Sequence, residues 1–310
     1  MPIEIPPDAD NCEVKCGRKK VSLTNLQKVF WPGLDKTKPG KTKRDLLLYY
    51  DALSPVLIPH LKDRAMVMKR YPNGINGEFF FMKRTPAHRP EWIQTCSIEH
   101  RSGNIIDFPI AEDSPSLLWI VNLGCIDLNP WYARCDDVNR PDFLHFDLDP
   151  VAPADFPEVL QAALLVKKYL DERGVESYPK TTGSRGIHIY VPIKREPLQK
   201  AVWTVAKRIA IELGKRHPEI ITSEYRIAQR PPGRVLVDYN QNAWGRTLAS
   251  VYSLRPKPDA TVSAPVTWDE IERGISMSDF RMDTMPERVT KVGDLFKPVL
   301  SNKFKLEMLQ

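Results

Sequence analysis

The chain has 310 residues, with 45 Lys+Arg against 39 Asp+Glu and a formal net charge of +6. Hydrophobic content of 42% and charged content of 27% exclude a wholly disordered chain. No apolar run approaches the ~20 residues that a membrane span needs. The charge is unevenly placed. Residues 1–90 hold 17 basic and 9 acidic side chains, net +8, which leaves residues 91–310 at net −2. Within residues 15–44 ten Lys or Arg accompany one acid, Asp35. Such a block fits a polyanion partner or a solvated surface. Met1–Asp10 lacks the basic start and apolar stretch of a signal peptide. The five cysteines (Cys12, Cys16, Cys96, Cys125, Cys135) have no framework spacing, so a reduced, cytoplasmic setting is expected.

In chain order, residues 1–20 read as an irregular arm. Thr42 is placed to cap a helix to about His60, with Leu46, Leu47, Tyr50, Leu53 and Leu57 as its apolar stripe and Pro55 as a bend or break. Ala65–Tyr71 and Glu78–Lys83 flank Pro72-Asn73-Gly74 as a hairpin, with Phe79-Phe80-Phe81 alternating into the core and one ring free to stack on a base. Trp92–Glu99 and Asn104–Pro109 read as strands, and Ser114–Val121 as a short helix. Phe143–Leu148 is a strand ending in Asp147-Leu148-Asp149-Pro150. Pro157–Arg173 is a helix closed by Gly174. Ser177–Lys180 and Gly186–Ile193 are strands around the turn Thr181–Arg185. Leu198–Arg216 is a helix, Arg234–Tyr239 a strand and Trp268–Gly274 a short helix. The expected fold class is mixed α/β (α+β), with helices outside one mixed sheet or two adjoining sheets.

Strand residues two apart share a face, so Asp147 and Asp149 project together. Adjacent carboxylates repel unless a cation lies between them or one is protonated. Mg²⁺ or Mn²⁺ suits oxygen ligands of this kind. Asp238 ends a second apolar strand and completes a candidate three-acid cluster of the type that clamps a phosphoryl displacement. Thr181–His188, with two glycines, small hydroxyls and Arg185, reads as a phosphate cradle in which backbone N–H groups and Arg185 donate. The alternative at each position is structural: a capped strand end, a tight turn, or a core histidine at His188. Cys12 and Cys16 lack a second pair for zinc.

Taken together, these residues resemble the polymerase domain of bacterial DNA ligase D, in the archaeo-eukaryotic primase superfamily. The likeness runs from about Val21 to Leu300. It rests on Leu23-Thr24-Asn25-Leu26-Gln27-Lys28-Val29-Phe30-Trp31-Pro32, Lys69-Arg70-Tyr71-Pro72-Asn73-Gly74 and Asn122-Leu123-Gly124-Cys125-Ile126-Asp127-Leu128. It continues through Phe146-Asp147-Leu148-Asp149-Pro150, Gly183-Ser184-Arg185-Gly186-Ile187-His188, Val237-Asp238-Tyr239-Asn240-Gln241-Asn242 and Tyr252-Ser253-Leu254-Arg255. The resemblance implies one primase-polymerase domain over 21–300, divisible into lobes 21–110 and 111–300, with a tail at 301–310. It implies Asp147, Asp149 and Asp238 as catalytic acids holding two Mn²⁺ or Mg²⁺ ions. Lys69, Arg185, Arg230 and Arg255 are the implied triphosphate cations, with Arg230 in irregular spacing. Phe81, with Phe80 beside it, is the implied base-stacking ring, and Thr182 stands where the family has a serine near the ribose 2′-hydroxyl. Asn25, Lys28 and Lys43 match a site for the DNA 5′-phosphate.

The resemblance further implies nucleoside triphosphates, preferably ribonucleotides, and 5′-phosphorylated gapped or broken DNA as substrates. A Ku-type end-binding protein and a separate ligase are the implied partners, in a nucleoid-associated, cytoplasmic setting. One departure stands out. Leu128-Asn129-Pro130-Trp131 places Asn129 where the family has histidine; asparagine keeps a hydrogen-bond donor but loses charge and proton transfer. The chain contains no Lys-x-Asp-Gly, so a stand-alone polymerase or an excised domain is expected. Two other functions fit parts of the pattern. A non-catalytic DNA-end-binding protein needs the basic block but not three acids. A metal-dependent glycosyltransferase uses Asp-x-Asp but leaves that block unexplained.

Overall fold

Alternation of buried and exposed residues organises the start of the chain. The computed structural model describes residues 3–33, 40–100 and 102–309; Asp35, Lys36 and Lys38 of the basic block lie outside these residues. The segment expected as an irregular arm instead forms a hairpin, β1 (Cys12–Cys16) and β2 (Lys19–Leu23). Val14, Val21 and Leu23 are buried on one face, and Gly17, at φ +63°, makes the turn that a β-carbon would strain. Ile3 and Ile5 join the same core.

Strands β3 (Val29–Trp31) and β4 (Lys41–Thr42) lead into α1 (Lys43–Leu61). Thr42 caps α1 as expected, in a reciprocal box with Asp45. Pro55 and Pro59 lie inside the helix without ending it. Leu53, Leu57 and Leu61 are buried there, each contributing ~1.5–3 kcal/mol against the lost backbone bonds. Next come β5 (Met66–Arg70), β6 (Phe80–Met82), the hairpin β7 (Thr95–Glu99) and β8 (Ile105–Pro109), and α2 (Ser114–Asn122). The strand β9 (Cys125–Pro130), unassigned from sequence, pairs with β5 to give a three-stranded antiparallel sheet in the order β6-β5-β9.

Short β10 (Ala133–Arg134) and β11 (Asp137–Pro141) precede the main sheet. It comprises β12 (Phe143–Pro150), β13 (Tyr178–Thr181), β14 (Ile187–Pro192), β15 (Ile221–Thr222) and β16 (Val235–Asp238), in the order β13-β14-β12-β16-β15. Helices α3 (Phe156–Asp171) and α4 (Gln199–Arg216) cover one face of it. Phe146, Leu148, Ile187, Ile189 and Val237 meet Val159, Val166, Val205 and Ile209 in that core. The chain continues through α5 (Trp268–Arg273), α6 (Met285–Val292) and α7 (Pro298–Ser301). Residues of the 251–299 stretch pack with α1 and α2. No helix among the described residues is long and apolar enough to cross a membrane.

Two expectations are corrected. Phe79, Phe80 and Phe81 do not alternate into the core; they are 51%, 45% and 59% exposed, at and just before the short edge strand β6, where Lys69 and Arg70 side chains lie against them. The cysteines are not all reduced: Cys96 and Cys135 form a disulfide with Cα atoms 5.8 Å apart. The cluster of Ala65, Phe108 and Trp131 brings β7 onto the end of β10, a contact that sequence spacing does not reveal.

Candidate active site and phosphate pocket

The uncovered face of the main sheet carries one polar row. Cross-strand register aligns Lys180 with His188, His188 with Asp147, and Asp147 with Asp238. Strand alternation turns the apolar neighbours to the helix-covered side and this row, with Asp149, to the other. A face of the smaller sheet does the same with Phe81, Lys69 and Asp127, while Val67 pairs with Asn129. Between the two faces lies a cavity of about 640 Å³, within the range of nucleotide-sized sites. Asp127, Asn129, Asp147, Asp149, Lys69, Phe81, Thr182, Arg185 and Arg255 all line it. Of the sequence-derived nucleotide residues, Phe80 lies on the other face of β6, with Arg70 5.1 Å from its ring centre.

The acids behave as the sequence requires of crowded carboxylates. Burial pushes Asp147 up to about 6. Asp149 rises to about 7, first through the charge of Asp147 and then through burial. Asp238 is raised by burial and by Asp147, and it accepts hydrogen bonds from Asn240 N (2.7 Å) and Gln241 Nε2 (3.0 Å). Asp147 Oδ1 is buried without a hydrogen-bond partner, 3.2 Å from His188 Nε2. An orphaned carboxylate oxygen beside a repelling carboxylate fits a divalent cation. The three acids do not converge fully: among the described residues, no three His, Cys, Asp or Glu side chains form a ligand group for one ion.

His188 is placed by a second buried group. Lys180 Nζ contacts His188 Nδ1 (2.7 Å), Ala249 O (2.9 Å) and Ser263 Oγ (2.6 Å). With Nδ1 as acceptor, the ring proton belongs on Nε2, facing Asp147. The sequence reading placed His188 in the core. Its alternation with buried Ile187 and Ile189 is the signal that points it at the acids.

The glycine turn is organised differently from a phosphate cradle. Thr182 Oγ1 accepts the backbone N–H groups of Ser184 (3.1 Å), Arg185 (3.2 Å) and Gly186 (3.0 Å). Those donors were expected to face phosphate; they are consumed within the turn, and the Arg185 side chain remains for the cavity. A β-carbon on Gly186 would lie 2.1 Å from Leu148 O, so the turn rests directly on the end of β12. Gly186→Ala is expected to cost about 3 kcal/mol, read as a lower denaturant midpoint; an unchanged midpoint would contradict this close approach.

Arg230 does not reach the cavity. Its guanidinium donates to Glu224 O (3.1 Å) and Tyr225 O (3.0 Å), although its charge still lowers Asp149 and Asp238. Arg230 caps the short 3₁₀ turn Ile227–Gln229, immediately before Pro231-Pro232.

Behind the smaller sheet lies a second pocket of about 540 Å³, lined by Asn25, Lys28, Lys43, Arg70, His88 and Asn122 among others. Among the described residues, no Asp or Glu lines it. Lys28 Nζ donates to Asn73 Oδ1 (2.7 Å) and Lys43 Nζ to Thr24 O (2.6 Å), leaving further protons on each ammonium. Burial, then Lys28 and Arg70, pushes Lys43 down to about 8. Arg70, next to Lys69 in sequence, lines this pocket as well. A register shift separates it from Lys69 on β5; Lys69 lines the cavity and Arg70 the basic pocket.

A crowded acid pair facing lysine and arginine across a nucleotide-sized cavity fits the class of nucleotidyl-transfer sites. Comparison with known proteins narrows it. The model of the LigD primase-polymerase domain matches residues 42–296. The chain is 31% identical over 283 residues to the multifunctional non-homologous end joining protein LigD of Mycolicibacterium smegmatis, covering 91% of this chain and 36% of that protein. It is 33% identical over 278 residues to the bifunctional non-homologous end joining protein LigD of Bacillus subtilis, covering 88% and 43%. A solved structure, the polymerase domain from Mycobacterium tuberculosis ligase D in complex with DNA, matches with a TM-score of 0.82 and 29% identity, covering 92% of this chain and 99% of that one. The chain belongs to the LigD primase-polymerase domain family, a family of nucleotidyltransferases. It spans less than half the length of these two LigD relatives. The expected mixed α/β fold agrees with that structural match.

Proposed function

We propose that this protein is a template-dependent polymerase that fills gaps and extends ends at DNA double-strand breaks in non-homologous end joining. One observation carries this: a single strand, β5, presents Lys69 to the acid-lined cavity and Arg70 to the basic pocket. A nucleoside triphosphate and the 5′-phosphate of a gap would thus be held on either side of one rigid element. Relatives named as end-joining proteins, and a neighbour solved with DNA, support the setting. A Ku-type end-binding protein and a separate ligase belong to the same proposal.

In that role Asp147 and Asp149, with Asp238 adjacent, would hold Mn²⁺ or Mg²⁺, two ions in the family pattern. Divalent cations there would supply charge neutralisation at the triphosphate and acidify the primer 3′-hydroxyl. Lys69, Arg185 and Arg255 would bind and orient the phosphates, and Phe81 would stack on the base. Thr182 Oγ1 already accepts three N–H groups, but its own hydrogen remains to donate toward a ribose 2′-hydroxyl, in line with a ribonucleotide preference. Membership in a nucleotidyltransferase family favours this function over the non-catalytic binder and the glycosyltransferase.

The test is primer extension on a gapped duplex with Mn²⁺ and either NTPs or dNTPs. Templated addition is expected, and none with either nucleotide set would overturn the proposal. Asn129 lines the same cavity and donates to Asp127 O (3.1 Å). Asn129→His restores the family side chain and is expected to raise turnover by about tenfold. No change, or a loss, would show a cavity adapted to asparagine.

A further inference from the structure

We propose that Asp127 is a positioning residue for the triphosphate: its carboxylate holds Lys69 and Arg255 on one wall of the cavity before nucleotide enters. This rests on the polymerase function proposed above and adds a residue that has had no role so far. Asp127 sits in mid-strand on β9 and is 2% exposed. Lys69 Nζ lies 3.6 Å from Oδ2, and Arg255 Nε lies 3.0 Å from Oδ1. The two cations come from distant parts of the chain and would repel one another without a shared counter-ion.

Each cation is also confined from other sides. The Lys69 ammonium stands 4.2 Å from the Phe79 ring centre, 5.4 Å from Tyr71 and 5.7 Å from Phe81. Arg255 Nη1 donates to Thr182 O (2.7 Å), which joins the pair to the glycine turn. Asp127 thus ties β5, the Arg255 segment and, through Arg255, the Thr182 turn. The Asp127–Arg255 contact is electrostatic rather than directional, since Oδ1 and Nε both lack an aligned hydrogen-bond partner. The Arg255 Nε–H thus keeps a hydrogen bond to give to an incoming phosphate. Burial lowers the proton affinity of Lys69 and Asp127 opposes that, consistent with a counter-ion that keeps the ammonium charged.

A buried anion next to a triphosphate has an opposite and purely repulsive effect, and this makes the proposal testable. If Asp127 only adds negative charge, Asp127→Asn tightens triphosphate binding. If it positions the two cations, Asp127→Asn weakens it. The expected result is a KM for NTP raised about tenfold, with kcat within about threefold and Asp127→Glu between wild type and Asn. Calorimetric binding of inorganic tripolyphosphate to the whole chain should fall in parallel, while affinity for 5′-phosphorylated DNA stays unchanged. An Asn variant with KM and tripolyphosphate affinity equal to or better than wild type would overturn the proposal. If the Asn variant does not fold, Asp127→Glu carries the test, with a raised KM expected and a wild-type KM overturning it. Wild-type protein that neither binds tripolyphosphate nor adds nucleotides would instead overturn the polymerase function itself.

Discussion

Asp147→Ala is expected to reduce nucleotide addition at least about a thousandfold, the rate equivalent of losing several kcal/mol of charge stabilisation. Asp149→Ala should do the same. Binding of 5′-phosphorylated DNA should survive both changes, because the basic pocket lies on the other side of β5. Stability should move the opposite way. Asp147 and Asp149 are raised to about 6 and about 7, so both hold their protons more tightly folded than unfolded. Such groups stabilise the fold as pH falls through 7 toward the ordinary carboxylate range, and oppose it above 7. Removing Asp147 also removes the main cause of the Asp149 shift. Without divalent cations, Asp147→Ala should therefore melt no lower than wild type at pH 8. A variant with substantial addition activity would contradict the role of these acids, whatever its melting point. A site that trades stability for function in this way is common among enzymes.

Lys43→Ala is expected to cost the preference for a 5′-phosphate about ten- to hundredfold, the loss of one charge-assisted contact of ~1.5–3 kcal/mol. The slope of affinity against salt should fall by about one phosphate contact. Lys28→Ala should act in the same direction with a smaller effect, since Lys28 is more exposed. The pH dependence has a definite sign. Lys43 is pushed down to about 8, so this one ammonium is charged at pH 7 and loses its charge as pH rises through 8. Preference for phosphorylated over unphosphorylated gaps should therefore decline above pH 8 in wild type and show no such step in Lys43→Ala. Equal affinities for both gaps at pH 7, unchanged by Lys43→Ala, would show that phosphate binds elsewhere.

How far the sequence carries differs from residue to residue, for physical reasons. The α1 cap and the Asp147–Asp149 pair were legible because both depend on local geometry: Thr42 three residues before Asp45, and strand alternation of period two. Asn25, Lys28 and Lys43 were legible only through resemblance, since a loop and a helix start 15 residues apart meet in space. The Thr182 turn was read with its donors facing out because sequence does not show that one hydroxyl takes three N–H groups. Arg230 turns its guanidinium to the carbonyls of Glu224 and Tyr225, a direction that its irregular spacing does not show. Asp127 and Lys180 carry no local sequence signal, and His188 in an apolar strand reads as a core residue. Their common signal is a buried polar residue within a strand; only the packing of the two sheets shows that Asp127 and His188 line one cavity, with Lys180 behind His188.

Primer extension across a one-nucleotide gap, with and without a 5′-phosphate and with and without Mn²⁺, tests the central claim most directly, because it engages both faces of β5 at once. Mn²⁺-dependent addition of the templated nucleotide, faster on the phosphorylated gap, is the predicted result. Addition that ignores both the phosphate and the divalent cation, or no addition on either gap, would contradict it.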